Sequence, residues 1–142
     1  MLFRSKDDIA RAVDAGAQFL VSPGASERLL AALAESGAPS LPGVATASEA
    51  MTASDAGFSA MKFFPAEPAG GIPYLKAIAG PLPNILFCPT GGINADKALE
   101  YLKLDNVACV GGSWIATRQM IAAGDFATIQ SNSSRAAGLR AR

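Results

Sequence analysis

Ile85-Leu86-Phe87-Cys88-Pro89-Thr90-Gly91-Gly92-Ile93-Asn94 changes character halfway along. An apolar run ends on proline and threonine, turns on two glycines and hands over to Asn94, a helix-capping residue type placed just before Ala95 to Leu102. Strand, tight turn and helix in that order make one unit of a parallel α/β protein. The unit repeats. Apolar or β-branched runs begin near Phe19 (FLVSPG), Ser40 (SLPGVAT), Ala60 (AMKFFPAE), Ile85 (ILFCPTGG) and Val107 (VACVGGSW), at intervals of 20 to 25 residues. Between them the chain carries helix punctuation. Ser5 precedes Lys6 to Ala15 with Gly16 after it, and Ser26 precedes Glu27 to Ser36 with Gly37 after it. Thr46 and Glu49 have the capping-box spacing with Gly57 as the stop, and Pro73 suits the first turn of a helix to Ala79. The strands read as unbroken apolar runs, as expected when both faces of a sheet are covered. A (β/α) barrel and an open doubly wound sheet both satisfy this pattern.

The residues at the strand ends bear on that choice. The five runs end in Ser22-Pro23-Gly24, Pro42-Gly43, Phe64-Pro65-Ala66-Glu67, Cys88-Pro89-Thr90-Gly91-Gly92 and Gly111-Gly112-Ser113, so prolines and small residues crowd one rim. In barrels that rim is the active face, and the loops after the last strands commonly bind phosphate through backbone N–H groups and a helix N-terminus. Single glycine pairs serve any tight turn. Two pairs in consecutive units, each followed by a potential helix cap (Asn94, Ser113), point to phosphate. Neither pair forms the GxGxxG or GxxxxGK[ST] arrangement of dinucleotide and triphosphate sites, so a sugar phosphate is the expected ligand.

Lys62 stands inside Ala60-Met61-Lys62-Phe63-Phe64, a charged amine in a strand-like apolar run. Such a lysine either snorkels its ammonium to water or exists partly as a neutral amine. An ordinary lysine, with a pKa of about 10.4, is unprotonated only about once in a few thousand molecules at neutral pH, and desolvation lowers that pKa. A neutral amine attacks ketones, which makes Lys62 a candidate Schiff-base nucleophile. Phe64, two positions on, projects to the same side and helps to exclude water.

The bulk composition narrows the remaining classes. With 142 residues, half of them hydrophobic, the chain suits one domain with a substantial core. We expect residues 1–130 to form it, followed by a partly helical or frayed tail over 131–142. Twelve basic and twelve acidic side chains leave no basic patch for nucleic acid. The start becomes charged before a signal-type apolar region could form, and no apolar stretch approaches the ~20 residues of a membrane span, so a cytoplasmic protein without membrane contact is expected. There is no histidine, and Cys88 and Cys109 form no CxxC pair, so no metal is expected and both read as buried, reduced core thiols.

Five segments, Gly16 to Gly24, Leu41 to Thr46, Lys62 to Glu67, Phe87 to Gly92 and Val110 to Trp114, resemble in order and spacing the 2-keto-3-deoxy-6-phosphogluconate aldolase family, also described as 4-hydroxy-2-oxoglutarate aldolase. The KFFPAE and PTGG motifs are its most specific part. The resemblance implies a class I, metal- and cofactor-independent aldolase of the Entner-Doudoroff pathway. In that family a homotrimer of (β/α)₈ TIM barrels cleaves the phosphorylated keto acid to pyruvate and glyceraldehyde 3-phosphate. Position by position it implies Lys62 as the Schiff-base lysine and Thr90 as the contact to the pyruvate moiety. Gly91, Gly92, Gly112 and Ser113 become the phosphate site, with Pro23 and Phe64 as the apolar wall. Five strand–helix units fall short of eight, and ~200 residues is near the lower limit for a closed barrel. The expectation is therefore an incomplete barrel lacking the family's first three strands, and with them a catalytic glutamate, an arginine and a further threonine. Glu67, the nearest carboxylate in sequence, reads as a loop brace rather than a substitute base. The competing expectation is an inactive fragment or a phosphate-binding partial barrel.

Overall fold

Side-chain caps start most of the helices where the sequence places them. In the computed structural model, which describes residues 5–139, the Asp8 amide donates to Ser5 Oγ at 3.2 Å at the head of α1 (Lys6–Asp14). The Leu29 amide donates to Ser26 Oγ at 3.3 Å at the head of α2 (Glu27–Glu35). The capping box of α3 (Ala47–Asp55) is complete, with the Glu49 amide donating to the Thr46 hydroxyl at 3.2 Å and the Thr46 amide to the Glu49 carboxylate at 2.9 Å. α4 (Gly71–Ala79) begins two residues before Pro73 and is capped by Gly70 without a side-chain bond. α5 (Ala95–Tyr101) starts as expected, the Lys97 amide donating to Asn94 Oδ1 at 2.9 Å. A short α6 (Arg118–Ala122), capped by Thr117, was not expected from the sequence. α7 (Phe126–Ala137) runs without a break across position 130, where the sequence reading began the tail. Arg140 and Arg142 of that tail lie outside the described residues. Among the described residues no helix is long and apolar enough to cross a membrane.

The strands are short and all parallel. β1 (Leu20–Val21) pairs with β2 (Ser40–Leu41), and β3 (Gly43–Val44) pairs with β4 (Ala60–Phe63), which pairs with β5 (Leu86–Pro89). β2 and β3 are one run interrupted by Pro42, whose missing N–H breaks the ladder while its carbonyl still accepts from the Lys62 amide at 2.9 Å. The fifth expected strand, residues 107–111, runs beside β5 without becoming a regular strand. It touches β5 in parallel bridges at Phe87↔Val107 and Thr90↔Gly111. Phe87 both donates to Asn106 (2.8 Å) and accepts from Ala108 (3.1 Å), whereas Pro89 only accepts, from Gly111 at 2.9 Å. The absent proline N–H leaves one rung out between the bridges. The lateral order is thus the chain order, from β1 through β2/β3, β4 and β5 to residues 107–111.

Alternation along β4 and β5 sorts their side chains between two faces. Met61, Phe63 and Phe87 are fully or almost fully buried under α3, α4 and α5, in a core with Ala50, Ala53, Leu75, Ile78, Ala98 and Tyr101. The Phe63 ring stacks on Tyr74 with centroids 5.5 Å apart and meets Phe87 edge-on at 6.3 Å. A second cluster, Ile9, Leu20, Leu29, Ala32 and Leu33, ties β1 to α1 and α2. Since truncating a buried phenylalanine costs about 3–5 kcal/mol, Phe63→Ala should lower the unfolding free energy by that amount in a urea titration. Phe64→Ala, on the opposite face, should lower it clearly less.

Candidate active site

The other face of β4 and β5 carries the polar side chains. Lys62 and Cys88 are register partners, and Thr90 is bridged to Gly111 on the neighbouring run. Lys62 and Cys88 therefore lie in one row across the sheet, with Cys109 beside Cys88, and Phe64, Thr90 and Gly111 form the row above it, towards the carboxyl ends of the strands. Lys62 is half-buried, and its Nζ sits 4.7 Å from the centroid of the Phe64 ring. Desolvation pushes the amine below the ordinary lysine range. A Cys88 thiolate would oppose that shift, but Cys88 holds its proton far above the usual thiol range because it donates to Cys109 and is itself buried. At neutral pH it therefore offers Lys62 a dipole rather than a charge, and desolvation governs the amine.

The residues around this row come from three separate loops. Gly43 is the register partner of Lys62 on the other side, and a Cβ built there would lie 2.2 Å from the Pro23 carbonyl carbon. Only glycine lets the Pro23 backbone cross so close to the lysine's neighbour. Ser22, fully buried, fixes this crossing by accepting from the Gly43 amide at 3.2 Å. On the opposite flank the Phe64 ring packs against Gly91, where an added Cβ would meet it at 3.3 Å. Two bonds join the loops after β4 and β5, from the Ala66 amide to the Thr90 carbonyl (2.8 Å) and from the Glu67 amide to the Gly91 carbonyl (3.2 Å). Lys62, Phe64, Thr90 and Gly91 thus meet on one rim, and the Pro23 backbone reaches it over Gly43.

Other expectations need correction. Ser113 caps no helix: residues 113–116 form turns and bends, and the next helix follows Thr117. The Trp114 ring lies directly over Gly112, where a Cβ would be 1.5 Å from it. An anion at the Gly112–Ser113 turn would therefore meet an indole and loop amides, with no helix N-terminus behind them. The cysteines are not buried core thiols either. Cys109 is exposed and Cys88 only partly buried, because both lie on the lysine-bearing face of the sheet. The interaction between the two thiols lowers Cys109 to about 7 while raising Cys88. Nothing in their spacing along the chain pairs the two; the fold brings them together. Glu67 does act as a brace, its carboxylate bound by the Lys97 ammonium and by the Tyr101 hydroxyl. These partners were missed, although their i, i+4 spacing on α5 places both on one helix face.

A parallel α/β chain that presents a desolvated amine beside glycine-lined loops at its strand ends is arranged for carbonyl chemistry. A profile of the family described as KDPG and KHG aldolase matches residues 4–132, and the chain belongs to that family of lyases. It is 48% identical over 118 residues to the KHG/KDPG aldolase of Escherichia coli, covering 83% of this chain and 55% of that protein. It is 46% identical over 121 residues to the 2-dehydro-3-deoxy-phosphogluconate aldolase of Pseudomonas aeruginosa, covering 85% and 55% respectively. The chain thus spans about half the length of these relatives. Among solved structures it resembles a KDPG aldolase from Legionella pneumophila with pyruvate captured as a covalent carbinolamine intermediate, with a TM-score of 0.87 and 48% identity over 90% of this chain and 62% of that one. It also resembles the Zymomonas mobilis enzyme with 3-phosphoglycerate, with a TM-score of 0.89 and 38% identity over 96% and 64%.

Two outcomes follow from the row of polar side chains. Because the folded-state pKa of Lys62 lies below its unfolded value of 10.5, its buried charge penalises the fold at neutral pH, and the penalty fades as pH rises from the folded-state pKa towards 10.5. Lys62→Met should therefore leave the melting temperature at pH 7 no lower than the parent's, and should remove that part of the pH dependence in thermal scans up to pH 10. Cys109 should be alkylated by iodoacetamide at a rate that rises through pH of about 7, with Cys88 lagging, as read by peptide mass mapping.

Proposed function

We propose that this chain carries the lysine- and phosphate-bearing part of a class I aldolase that cleaves 2-keto-3-deoxy-6-phosphogluconate to pyruvate and glyceraldehyde 3-phosphate. By the same chemistry it would split 4-hydroxy-2-oxoglutarate to pyruvate and glyoxylate. The observation that carries this reading is the position of Lys62, a desolvated amine one strand away from Thr90 and the Gly91–Gly92 turn on a single sheet face.

In the proposed reaction neutral Lys62 attacks the C2 ketone and forms a carbinolamine, which loses water to give an iminium. The iminium accepts the electron pair of the C3–C4 bond as the C4 hydroxyl loses its proton, so the aldehyde leaves and an enamine remains. Protonation at C3 and hydrolysis then free pyruvate and restore the amine. The protonated imine is itself the electron sink, so the scheme calls for no metal or organic cofactor. Thr90 is assigned to the pyruvyl end of the substrate. The amides of Gly91 and Gly92, joined by those of the Gly112–Ser113 turn, are assigned to the phosphate. Phe64 and Pro23 limit water at the amine. The carbinolamine of the Legionella relative and the 3-phosphoglycerate of the Zymomonas relative support these assignments.

The strand order, which follows the chain without the reversal of a doubly wound sheet, supports five units of a (β/α)₈ barrel. On the same reading residues 1–130 form the barrel part and 131–142 the tail. The family's homotrimer and a cytoplasmic setting complete the proposal.

One observation favours the second reading, an inactive or merely phosphate-binding partial barrel. Glu67 is held by Lys97 and Tyr101 and is not available as a proton carrier for the imine. A positioned acid/base contributes about 10²–10⁴ in rate. Borohydride reduction in the presence of pyruvate should add one pyruvyl group at Lys62, with a yield that rises with pH and vanishes in Lys62→Met. Steady-state cleavage of the phosphorylated keto acid by the same protein then tests whether a positioned acid/base, a contribution of about 10²–10⁴ in rate, serves the imine. Absence of an adduct in folded protein would end the imine mechanism, and an adduct without measurable cleavage would establish the second reading.

A further inference from the structure

Three elements converge on Glu67. The Lys97 ammonium binds Oε2, and the Tyr101 hydroxyl donates to Oε1 at 2.6 Å, so α5 is held through its first and second turns. The Glu67 amide donates to the Gly91 carbonyl at 3.2 Å. Gly92, at φ +78°, lies against the Glu67 stem so closely that a Cβ there would come within 2.8 Å of Cγ. The start of α4 lies on the third side, where the Gly71 amide donates to the Ala66 carbonyl at 2.9 Å and a Cβ at Gly71 would stand 3.4 Å from Oε1. Since Gly70 supplies no capping side chain, the carboxylate is the nearby negative charge that this helix end favours.

The turn Gly91–Asn94 is thus held at both ends by one residue. Its start is bonded to the Glu67 backbone, and its end, where α5 begins, is tied to the Glu67 side chain. The two side-chain bonds differ in weight. The Lys97 pair lies partly in water and contributes little to stability. The Tyr101 ring is fully buried, so its hydroxyl would be costly to strand. The pair also settles an electrostatic difficulty, because a bare carboxylate beside an anion cradle would repel the anion. Lys97 and Tyr101, in that order, hold the Glu67 carboxyl below its ordinary range and draw its charge towards α5.

Resting on the reading of the preceding section, we propose that Glu67 is a positioning residue. It holds the Gly91–Gly92 turn in the shape that receives the substrate's phosphate and does not touch the substrate itself.

The test uses the full chain and the variants Glu67→Ala, Glu67→Gln and Tyr101→Phe, with inorganic phosphate as the probe. In Glu67→Ala the amides of Ala66 and residue 67, which bond to Thr90 and Gly91, should exchange hydrogen roughly tenfold faster, while the Lys62 amide changes by less than about threefold. The phosphate dissociation constant from calorimetry should rise roughly tenfold, and the pyruvate dependence of borohydride trapping by about threefold at most. Glu67→Gln keeps an acceptor for Tyr101 and should recover most of the loss. The inference is overturned if Glu67→Ala changes neither exchange nor phosphate binding, or if it accelerates the Lys62 amide equally, as a purely structural role would. Should Glu67→Ala not fold, Tyr101→Phe and Glu67→Gln decide. A weaker phosphate constant in Tyr101→Phe than in Glu67→Gln supports the inference, and unchanged constants in both overturn it. A parent chain that traps pyruvate but binds no phosphate overturns this inference alone. A parent that binds phosphate but traps no pyruvate removes the imine reading and leaves this one to the exchange data.

Discussion

The two-residue alternation of β4, locked to β5 by four register pairs, is the constraint on which the rest depends. Met61 and Phe63 are fully buried beneath the helices, so Lys62 between them must point to the opposite face. A slip of one residue would place an ammonium in the helix-covered core and a phenyl ring on the active side, a rearrangement the buried aromatic cluster opposes. Fold stability and chemistry are therefore coupled through one strand. The apolar residues that make β4 a strand also bring the amine to Cys88, Thr90 and the glycine turn.

The same constraint sets the electrostatics. Burial desolvates Lys62, and its register partners Gly43 and Cys88 offer it no carboxylate to offset that cost. The ring of Phe64 supplies a cation–π contact that makes the ammonium tolerable without giving it a counter-ion. An amine prepared in this way has a larger neutral fraction at physiological pH than a surface lysine. The nearest carboxylate in sequence is engaged elsewhere: Glu67 is paired with Lys97 of α5.

Much of the architecture was legible in the linear order of residues. Ser5, Ser26, the Thr46–Glu49 box and Asn94 announce helices that begin where they predict, because a cap is a contact over three residues and needs no tertiary information. The misses have the opposite character. Pro42 splits one apparent strand into two, and the Pro89 imide takes a rung out of the ladder beside residues 107–111, since each proline matters only once a neighbouring strand seeks its N–H. Ser113 has the residue type of a cap but is followed by turns, with Trp114 folded back over Gly112.

The residues of the candidate site divide in the same way. Sequence alone determined the parallel α/β class, the family, and the candidacy of Lys62, Phe64, Thr90 and the glycine pairs, because an amine in an apolar run and paired glycines after strands are local signals. The tertiary structure decided that Cys88 and Cys109 are neighbours, that the Pro23 backbone reaches the lysine over Gly43, and that Glu67 is committed to Lys97 and Tyr101. Each of these contacts joins residues 20 or more positions apart. Strand register and loop crossings set such pairs, and neither can be read from the spacing of residue types along one chain.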